Sequence, residues 1–236
     1  MANFGALWIG RPLSKIEVLS LNSYIYHGHN VFLFTYGNVK NIPSGVNVLD
    51  AREILPESSI ISFENSYSNF SDWFRYEMIN KKDIFWTDLD SVCLSSKWDF
   101  KDKYVFGIND KHNQKEYICT SSFRLPANSE ILDFLINSAK NKDLGTEWAP
   151  AGPQLLTEAV FKFNLQNKIL PPKAFAPINF KMWKDLWDPE KLLLVEESIQ
   201  KSYAIQLWNQ MIYRSNIDRE YFLEGSFIKK IYDKYC

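Results

Sequence analysis

The chain has 236 residues, of which 46% are hydrophobic and 23% charged, and its formal net charge is −1. This length fits one large domain or two small ones with a sizeable core. The balanced charge, without a block of lysine or arginine, argues against a protein that binds nucleic acid. The three cysteines are scattered, so they predict neither a disulfide framework nor a CxxC metal site, and they fit a reducing compartment.

The two ends of the chain give no sign of a membrane span. The first residues lack a positively charged stretch before an apolar run, so we expect no secretory signal. No apolar run approaches the roughly 20 residues that span a bilayer, which predicts a soluble or peripheral protein. Segment 220–236 mixes apolar residues with lysines and predicts a helix packed on its own domain, with contact to a membrane surface as the alternative.

The first third of the chain predicts strands alternating with helices. Ser14 and Glu17 form a capping box, which indicates the start of a helix that ends near Gly28. A second helix is predicted at 72–79. The apolar runs that predict strands are 5–9, 31–36, 46–49 and 84–87.

The rest of the chain continues with a less regular pattern. Segments 104–108 and 117–123 predict strands, and 128–139 predicts an amphipathic helix. Pro153 suits the first turn of a further helix, while 168–188 is rich in proline and tryptophan and predicts a loop. The alternation of strands and helices favours an α/β fold with a mainly parallel sheet in a single domain.

The clearest chemical signal is the apolar run that ends in Asp88-Leu89-Asp90. Residues two apart on an extended strand point to the same side, so both carboxylates are expected to reach one cation. The carboxyl end of a buried strand is also where open α/β sheets bind ligands. A divalent cation that holds a phosphate-bearing substrate fits hard oxygen ligands of this kind. The alternative is a solvated turn, because a lone Asp-x-Asp is common.

Three other groups of residues are weaker candidates. Asp72 and Arg75 lie three apart on the predicted second helix, where they form either a sugar-binding pair or a surface ion pair. Trp8 lies just before Gly10 at the end of the first strand, where its ring stacks either on a base or in the core. Near the C-terminus, the side chains of Gln206-Leu207-Trp208-Asn209 offer an indole N–H and amide oxygens, or form part of an amphipathic helix.

Taken together, these segments resemble the DXD-containing sugar transferases of glycosyltransferase family 32. Trp8-Ile9-Gly10, Ser71-Asp72-x-x-Arg75, Asp88-x-Asp90 and Gln206-Leu207-Trp208-Asn209 carry the resemblance. That family includes bacterial capsule and lipopolysaccharide enzymes, and the glucosylating clostridial toxins are similar more distantly. The resemblance implies a Rossmann-like GT-A fold, a nucleotide-diphosphate sugar donor, Mn²⁺ or Mg²⁺, and retention of anomeric configuration.

The same resemblance implies a role for each matching residue. The residues implied for the nucleotide are Trp8, Ile9, Gly10, Tyr36 and Asp88. Those implied for the donor sugar and acceptor are Asp72, Arg75, Gly152, Pro153 and Gln154. The implied metal ligands are Asp88, Asp90 and Gln206, and Trp208 is implied to hydrogen-bond the leaving diphosphate. Asp72, Arg75, Asp88, Asp90 and Trp208 thus form the implied catalytic set.

One residue departs from the family pattern. Many bacterial relatives carry histidine at the position of Gln206, and a neutral amide oxygen is a weaker ligand for Mn²⁺ than imidazole. We therefore expect weaker or water-mediated metal binding here. Residues 1–110 would form the nucleotide-binding part of the domain and residues 111–236 the acceptor side.

The resemblance implies transfer of a hexose from UDP-hexose to an oligosaccharide or glycolipid of a bacterial surface glycan. It also implies a cytoplasmic protein able to associate peripherally with the inner face of the cell membrane. Two alternatives remain. Asp88-x-Asp90 superficially fits a haloacid dehalogenase-type phosphohydrolase, although that motif normally opens its chain. The Gln206 departure leaves room for a catalytically silent sugar-binding protein.

Overall fold

Strands and helices alternate along the chain in a computed structural model that describes residues 1–109, 116–145, 149–215 and 217–236. The first half contains β1 (Asn3–Trp8), α1 (Lys15–Tyr26), β2 (Asn30–Thr35), β3 (Val46–Asp50), α2 (Ser68–Lys82), β4 (Phe85–Thr87), β5 (Ser91–Cys93) and β6 (Phe106–Gly107). The second half contains β7 (Ser122–Phe123), α3 (Glu130–Lys140), α4 (Pro153–Lys162), β8 (Ile169–Leu170), α5 (Leu192–Ile199), β9 (Ala204–Gln206), α6 (Asn209–Arg214) and α7 (Phe227–Tyr235).

Among the residues that the structure describes, the central sheet has five strands in the order β3-β2-β1-β4-β7. Strands β1 to β4 run parallel, and β7 is antiparallel to its neighbour β4. Side chains of β1 and β2 such as Phe4, Ala6, Leu33 and Phe34 are fully buried, as expected for parallel strands covered by helices. The predicted α/β fold, a single domain with a mainly parallel sheet flanked by helices, is confirmed.

Helix α1 begins at the predicted capping box. The Glu17 carboxylate accepts hydrogen bonds from Ser14 N at 2.8 Å and Ser14 Oγ at 2.6 Å, and the Ser14 side chain in turn accepts from the backbone of the first turn. The helix ends one residue before His27, and Gly28 follows with φ of +78°. Local sequence therefore determined both ends of this helix.

Several predicted bounds were wrong. The strands expected at 104–108 and 117–123 are reduced to the two-residue strands β6 and β7, because the two segments otherwise meet through an isolated bridge between Ile108 and Ile118. Helix α2 is longer than 72–79 at both ends. The predicted loop at 168–188 contains β8 and a 3₁₀ helix at Phe180–Leu186.

A second, two-stranded sheet joins the middle of the chain to its C-terminal part. Strands β5 and β9 pair antiparallel, with Ser91 opposite Gln206 and Cys93 opposite Ala204. The Leu207 N–H also donates to the Asp90 carbonyl at 2.7 Å, which extends the pairing by one bond. The sequence did not predict either strand, yet this ribbon fixes the position of Asp90 beside the Gln206 segment.

The C-terminal helix α7 packs on its own domain, as predicted. Its buried residues Phe227, Ile228, Ile231 and Tyr235 belong to a cluster that includes Ile16 and Leu19 of α1. The Ser226 side chain caps the helix by accepting from Lys229 N at 3.3 Å. Within the described ranges, no helix combines the length and the apolar character that crossing a bilayer requires.

Candidate active site

The acidic pair lies in a tight turn between β4 and β5, which corrects the expected extended geometry. The Ser91 N–H donates back to the Asp88 carbonyl at 3.2 Å, and the intervening Leu89 is buried in the core. The chain turns here because β5 leaves the central sheet to pair with β9. Asp88 still follows the carboxyl end of β4, where its N–H donates to the Ser121 carbonyl at 2.7 Å. The turn separates the two carboxylates, and they have different side-chain partners.

Asp88 is held by an indole and a guanidinium. Trp86 Nε1 donates to Asp88 Oδ1 at 2.7 Å, and Arg75 Nη2 lies 3.4 Å from the same oxygen. The Asp88 side chain is 24% exposed, so it can still meet a ligand. Burial raises the pKa of Asp88, whereas the Arg75 charge and the Trp86 hydrogen bond oppose that rise.

Arg75 links Asp88 to the second predicted acid, Asp72. Arg75 Nη2 lies 3.1 Å from Asp72 Oδ1, and the two side chains are 5% and 6% exposed. Such burial rules out the surface ion pair that the spacing also allowed. Arg75 Nη1 and Nε donate to the carbonyls of Thr120 and Ser71, and the guanidinium lies 4.9 Å from the Trp86 ring centroid. Arg75 is therefore a fixed positive charge between two carboxylates.

Desolvation is the main influence on the pKa of Asp72. Burial raises this pKa from its ordinary 3.8 to about 6, although the neighbouring Arg75 charge lowers it. The carboxylate is thus costly to ionise even with its partner in place. A ligand that donates a hydrogen bond to the ionised carboxylate would lower that cost.

Asp90 is bonded to the segment that follows β9. Gln206 Nε2 donates to Asp90 Oδ1 and the Asn209 N–H donates to Asp90 Oδ2, both at 2.8 Å. Burial and the nearby Asp88 charge raise the Asp90 pKa to about 7. Both amide side chains leave a buried oxygen, Gln206 Oε1 and Asn209 Oδ1, that has no hydrogen-bond partner among the described residues.

The donor set at this turn suits a hard divalent cation. Asp88 and Asp90 offer carboxylate oxygens, and the unpartnered Gln206 Oε1 offers a neutral one. Over the part of the chain that the structure describes, no three His, Cys, Asp or Glu side chains converge on one point. A cation here would therefore need oxygens from a substrate to complete its shell.

Gly152 lies against Asp72, while its role at the donor sugar stays a prediction. A Cβ built on Gly152 would lie 2.6 Å from Asp72 Oδ2, so the start of α4 can approach this acid only without a side chain. Tyr76 holds the same segment by donating to the Ala151 carbonyl at 2.8 Å. Pro153 is half-buried as the first residue of α4, and Gln154 beside it is exposed.

The end of β1 provides an open approach to the sheet edge. Gly10 has φ of +91°, and a Cβ built there would meet no atom within 4 Å. Trp8 is half-buried, with Nε1 donating to the Arg11 carbonyl at 2.6 Å, and Ile9 packs against the core. The nucleotide role of these three residues stays a prediction.

Tyr36 and Trp208 do not sit as predicted. Tyr36 is 7% exposed and its hydroxyl donates to the Leu55 carbonyl at 2.9 Å, so its ring belongs to the core and is not open to a nucleotide. The Trp208 indole N–H donates to the Ile178 carbonyl at 3.0 Å, and the residue adopts left-handed angles where α6 begins. A diphosphate could use this donor only after the Ile178 carbonyl had moved away.

Some residues of the site escaped the sequence prediction. Trp86 lies on β4, two residues before Asp88, a spacing that could have indicated their contact. Glu17 contacts both Asn209 and Arg219, which lie in distant parts of the chain. No local pattern connects them, because only the packing of α1 against the C-terminal segments brings them together.

The C-terminal part of the chain matches a family model described as the alpha 1,4-glycosyltransferase conserved region. The match spans residues 125–236, slightly less than half of the chain, and includes the Gln206 segment but not Asp88 or Asp90. The fold is similar to the solved structure titled PaToxG Glycosyltransferase, with a TM-score of 0.52 and 15% identity over 98% of this chain and 85% of the other.

Two mammalian relatives share weak sequence similarity with the chain. The lactosylceramide 4-alpha-galactosyltransferases of Mus musculus and Rattus norvegicus are each 23% identical over an alignment of 181 residues that covers 70% of this chain. The chain spans about half the length of these curated relatives, 47% in both cases. The names of these relatives do not mention bacterial capsule or lipopolysaccharide synthesis. Family match, relatives and fold together support a glycosyltransferase, without specifying the bacterial branch of family 32.

Proposed function

We propose that this chain transfers a hexose from a UDP-hexose to a hydroxyl group of a glycan or glycolipid. The observation that supports this most is the position of Asp88 and Asp90 at the end of β4, between the Arg75 guanidinium and the Gln206 amide. The acidic turn is flanked by the buried Arg75 guanidinium and by amide oxygens without a partner among the described residues. Such a set of groups suits a metal ion bound to a diphosphate. The similarity to glycosyltransferases specifies which class of diphosphate to expect.

The proposed metal site consists of Asp88, Asp90 and the Gln206 amide oxygen. Mn²⁺ or Mg²⁺ held there would supply neutralisation of the charge that grows on the departing diphosphate. The Gln206 amide N–H donates to Asp90. Its Oε1 therefore points away from Asp90 and has no partner among the described residues. This orientation supports the proposal that Gln206 takes part despite being a weaker ligand than histidine.

The proposed sugar site lies between α2 and the start of α4. Asp72 would accept from donor-sugar hydroxyls, and the close packing of Gly152 against this acid places the start of α4 at the border of the sugar site. Arg75 is largely committed to its protein partners, so we assign it the task of keeping Asp72 and Asp88 ionised and in place. Trp8 and Gly10 would border the uracil base at the end of β1.

We further propose that the reaction retains the anomeric configuration through front-side attack. Asp72, the buried acid beside Gly152, is engaged by Arg75 at 3.1 Å and is poorly suited to act as a free nucleophile. The relatives are named as alpha-transferases, and an α-linked UDP-sugar gives an α-linked product with retention. A glycosylated side chain trapped on the enzyme and detected by mass spectrometry would contradict front-side attack.

For the acceptor, we propose a surface glycan or a glycolipid head group. The relatives' names specify a glycolipid, lactosylceramide, as their own acceptor. We also propose a cytoplasmic location with peripheral contact to the inner face of the cell membrane, which rests on the resemblance to family 32 alone. Capsule or lipopolysaccharide assembly is the bacterial form of this proposal.

The experiment that tests the function is UDP-sugar hydrolysis without an acceptor. UDP-galactose, UDP-glucose and UDP-N-acetylglucosamine are each incubated with the protein, with and without Mn²⁺, and released UDP is measured. We expect slow release from one of them that needs Mn²⁺ and disappears in Asp90→Asn. Hydrolysis of p-nitrophenyl phosphate instead would favour the phosphohydrolase alternative, and UDP binding without any turnover would favour the silent sugar-binding protein.

A further inference from the structure

A buried ion pair lies behind the acidic turn. Glu17, in the first turn of α1, has no exposed surface, and Arg219 Nη2 donates to its Oε1. The same oxygen accepts from Asn209 Nδ2 at 3.3 Å. The other oxygen, Oε2, serves the capping box with Ser14. One carboxylate thus joins the start of α1, the start of α6 and the segment before α7.

Asn209 connects this carboxylate to Asp90. Its backbone N–H donates to Asp90 Oδ2 at 2.8 Å, while its side-chain Nδ2 donates to Glu17. Because an ionised carboxylate can only accept, the bond to Glu17 determines which end of the amide faces it. The Asn209 Oδ1 is consequently left as a buried oxygen with no partner among the described residues. Gln206 shows the same arrangement against Asp90 itself.

We propose that Glu17, held by Arg219, is a positioning residue that fixes the Asn209 amide against the cation site at Asp90. This inference rests on the proposed function, because it assumes that a divalent cation binds there. Residues that orient metal-site groups from behind typically change metal affinity 10- to 100-fold when mutated. Arg219 balances the charge of Glu17, so the arrangement adds no third unpaired negative charge near Asp88 and Asp90.

A helix cap alone does not explain these contacts. The capping box needs only Ser14 and one carboxylate oxygen of Glu17. Oε2 is that oxygen, since it accepts from both Ser14 N and Ser14 Oγ. The Oε1 contacts to Asn209 and Arg219 come from residues about 200 positions away in sequence. They bring the acid to the Asp90 site without improving the cap.

The test is a Mn²⁺ titration of the full chain in the presence of UDP, followed by the electron paramagnetic resonance of free Mn²⁺. Glu17→Gln can keep the capping box, since glutamine also serves at that position. We expect it to weaken Mn²⁺ affinity about tenfold. Ser14→Ala is the matched control, because it damages the cap but leaves the Oε1 contacts intact, and its Mn²⁺ affinity should equal that of the wild type.

A double-mutant cycle separates positioning from general damage to the fold. Asn209→Ala keeps the backbone N–H to Asp90 but removes the amide that Glu17 holds. If Glu17 acts through Asn209, adding Glu17→Gln to Asn209→Ala should change affinity by less than about twofold. If the fold-change in Mn²⁺ affinity of the double variant equals the product of the fold-changes of the two single variants, the inference is overturned. If Glu17→Gln does not fold, Glu17→Asp replaces it; the shorter acid can cap but cannot span to Asn209, and unchanged affinity would be equally contradictory.

The outcomes also separate this inference from the function on which it rests. A wild type that binds no Mn²⁺ with UDP would overturn both. A wild type that binds Mn²⁺ while Glu17→Gln binds it equally well would overturn only the positioning role.

Discussion

Arg75 Nη2 lies 3.4 Å from Asp88 Oδ1, across the gap between helix α2 and the end of β4. This contact attaches the acidic turn to the helix that carries Asp72, so a single guanidinium is the counter-charge of the acids on both sides of the proposed sugar site. Because the side chain of Arg75 is only 5% exposed, its loss would leave two acids without compensation in a poorly solvated place.

Replacing Arg75 with methionine should therefore destabilise the protein strongly. We expect a loss of about 3–5 kcal/mol in the free energy of unfolding, as for other buried pairs that lose one partner. Urea denaturation measures it. The control is Arg52→Met, whose side chain is 47% exposed beside Glu57 and beside Asp50 at 3.2 Å; its loss of stability should be far smaller, because exposed ion pairs contribute little. Equal losses in the two variants would contradict the role of Arg75.

Asp72 should make stability depend on pH in a defined direction. Its pKa in the folded chain is about 6, above its ordinary 3.8, so the folded state holds this proton more tightly than the unfolded state. Stability therefore falls as pH rises from about 4 to 6, where the buried acid ionises, and the cost is fully present above 6. Asp72→Asn avoids that cost and should lose much less stability over this range.

The difference between the two proteins gives the measurement. Between pH 4 and pH 7, the stability of Asp72→Asn relative to the wild type should improve by up to about 3 kcal/mol, the equivalent of a shift of about two pKa units. Urea titrations at a series of pH values measure this difference directly. Parallel curves for the two proteins would show that Asp72 is not desolvated as described.

A methyl group at Gly152 should disturb Asp72. The added Cβ would stand 2.6 Å from Asp72 Oδ2, so either the acid or the start of α4 must move. We expect Gly152→Ala to cost about 1–3 kcal/mol of stability, as overpacking usually does, and to raise the KM for the sugar donor. Gly37→Ala is the control, since a Cβ there meets nothing within 4 Å. A Gly152→Ala protein with wild-type stability and KM would argue against close packing at this point.

Gln206→His should bind Mn²⁺ more tightly than the wild type. One imidazole nitrogen can donate to Asp90 as Gln206 Nε2 does at 2.8 Å, and the other can serve as a stronger ligand than an amide oxygen. Isothermal titration of Mn²⁺ compares the two proteins, and Gln206→Leu, which has no ligand atom, should bind more weakly than either. Equal affinity in all three would remove Gln206 from the metal site.

Much of the fold could be predicted because its signals are local. The capping box of Ser14 and Glu17 and the apolar runs of β1 to β4 follow from residues close together in sequence. The Asp88-x-Asp90 pair was found in the same way, by its place after an apolar strand. Its extended geometry was not correct, because the turn depends on β5 pairing with β9 more than 100 residues later.

What the sequence could not provide is pairing over long distances. Trp208 was predicted to hydrogen-bond the diphosphate, but its indole N–H donates to the Ile178 carbonyl. Tyr36 was predicted to bind the nucleotide, but its ring is buried and its hydroxyl donates to the Leu55 carbonyl. Whether a donor group is free depends on every acceptor that folding brings near it. The Glu17–Arg219 pair lay outside prediction for the same reason.

Binding of UDP with and without Mn²⁺, measured by thermal shift on the wild type and on Asp90→Asn, decides whether the acidic turn holds a metal–diphosphate. A ligand that prefers the folded state raises the melting temperature. We expect UDP to raise that of the wild type only when Mn²⁺ is present, and to leave Asp90→Asn unchanged. An equal rise in both proteins, or a rise that ignores Mn²⁺, would contradict the assignment of Asp88 and Asp90.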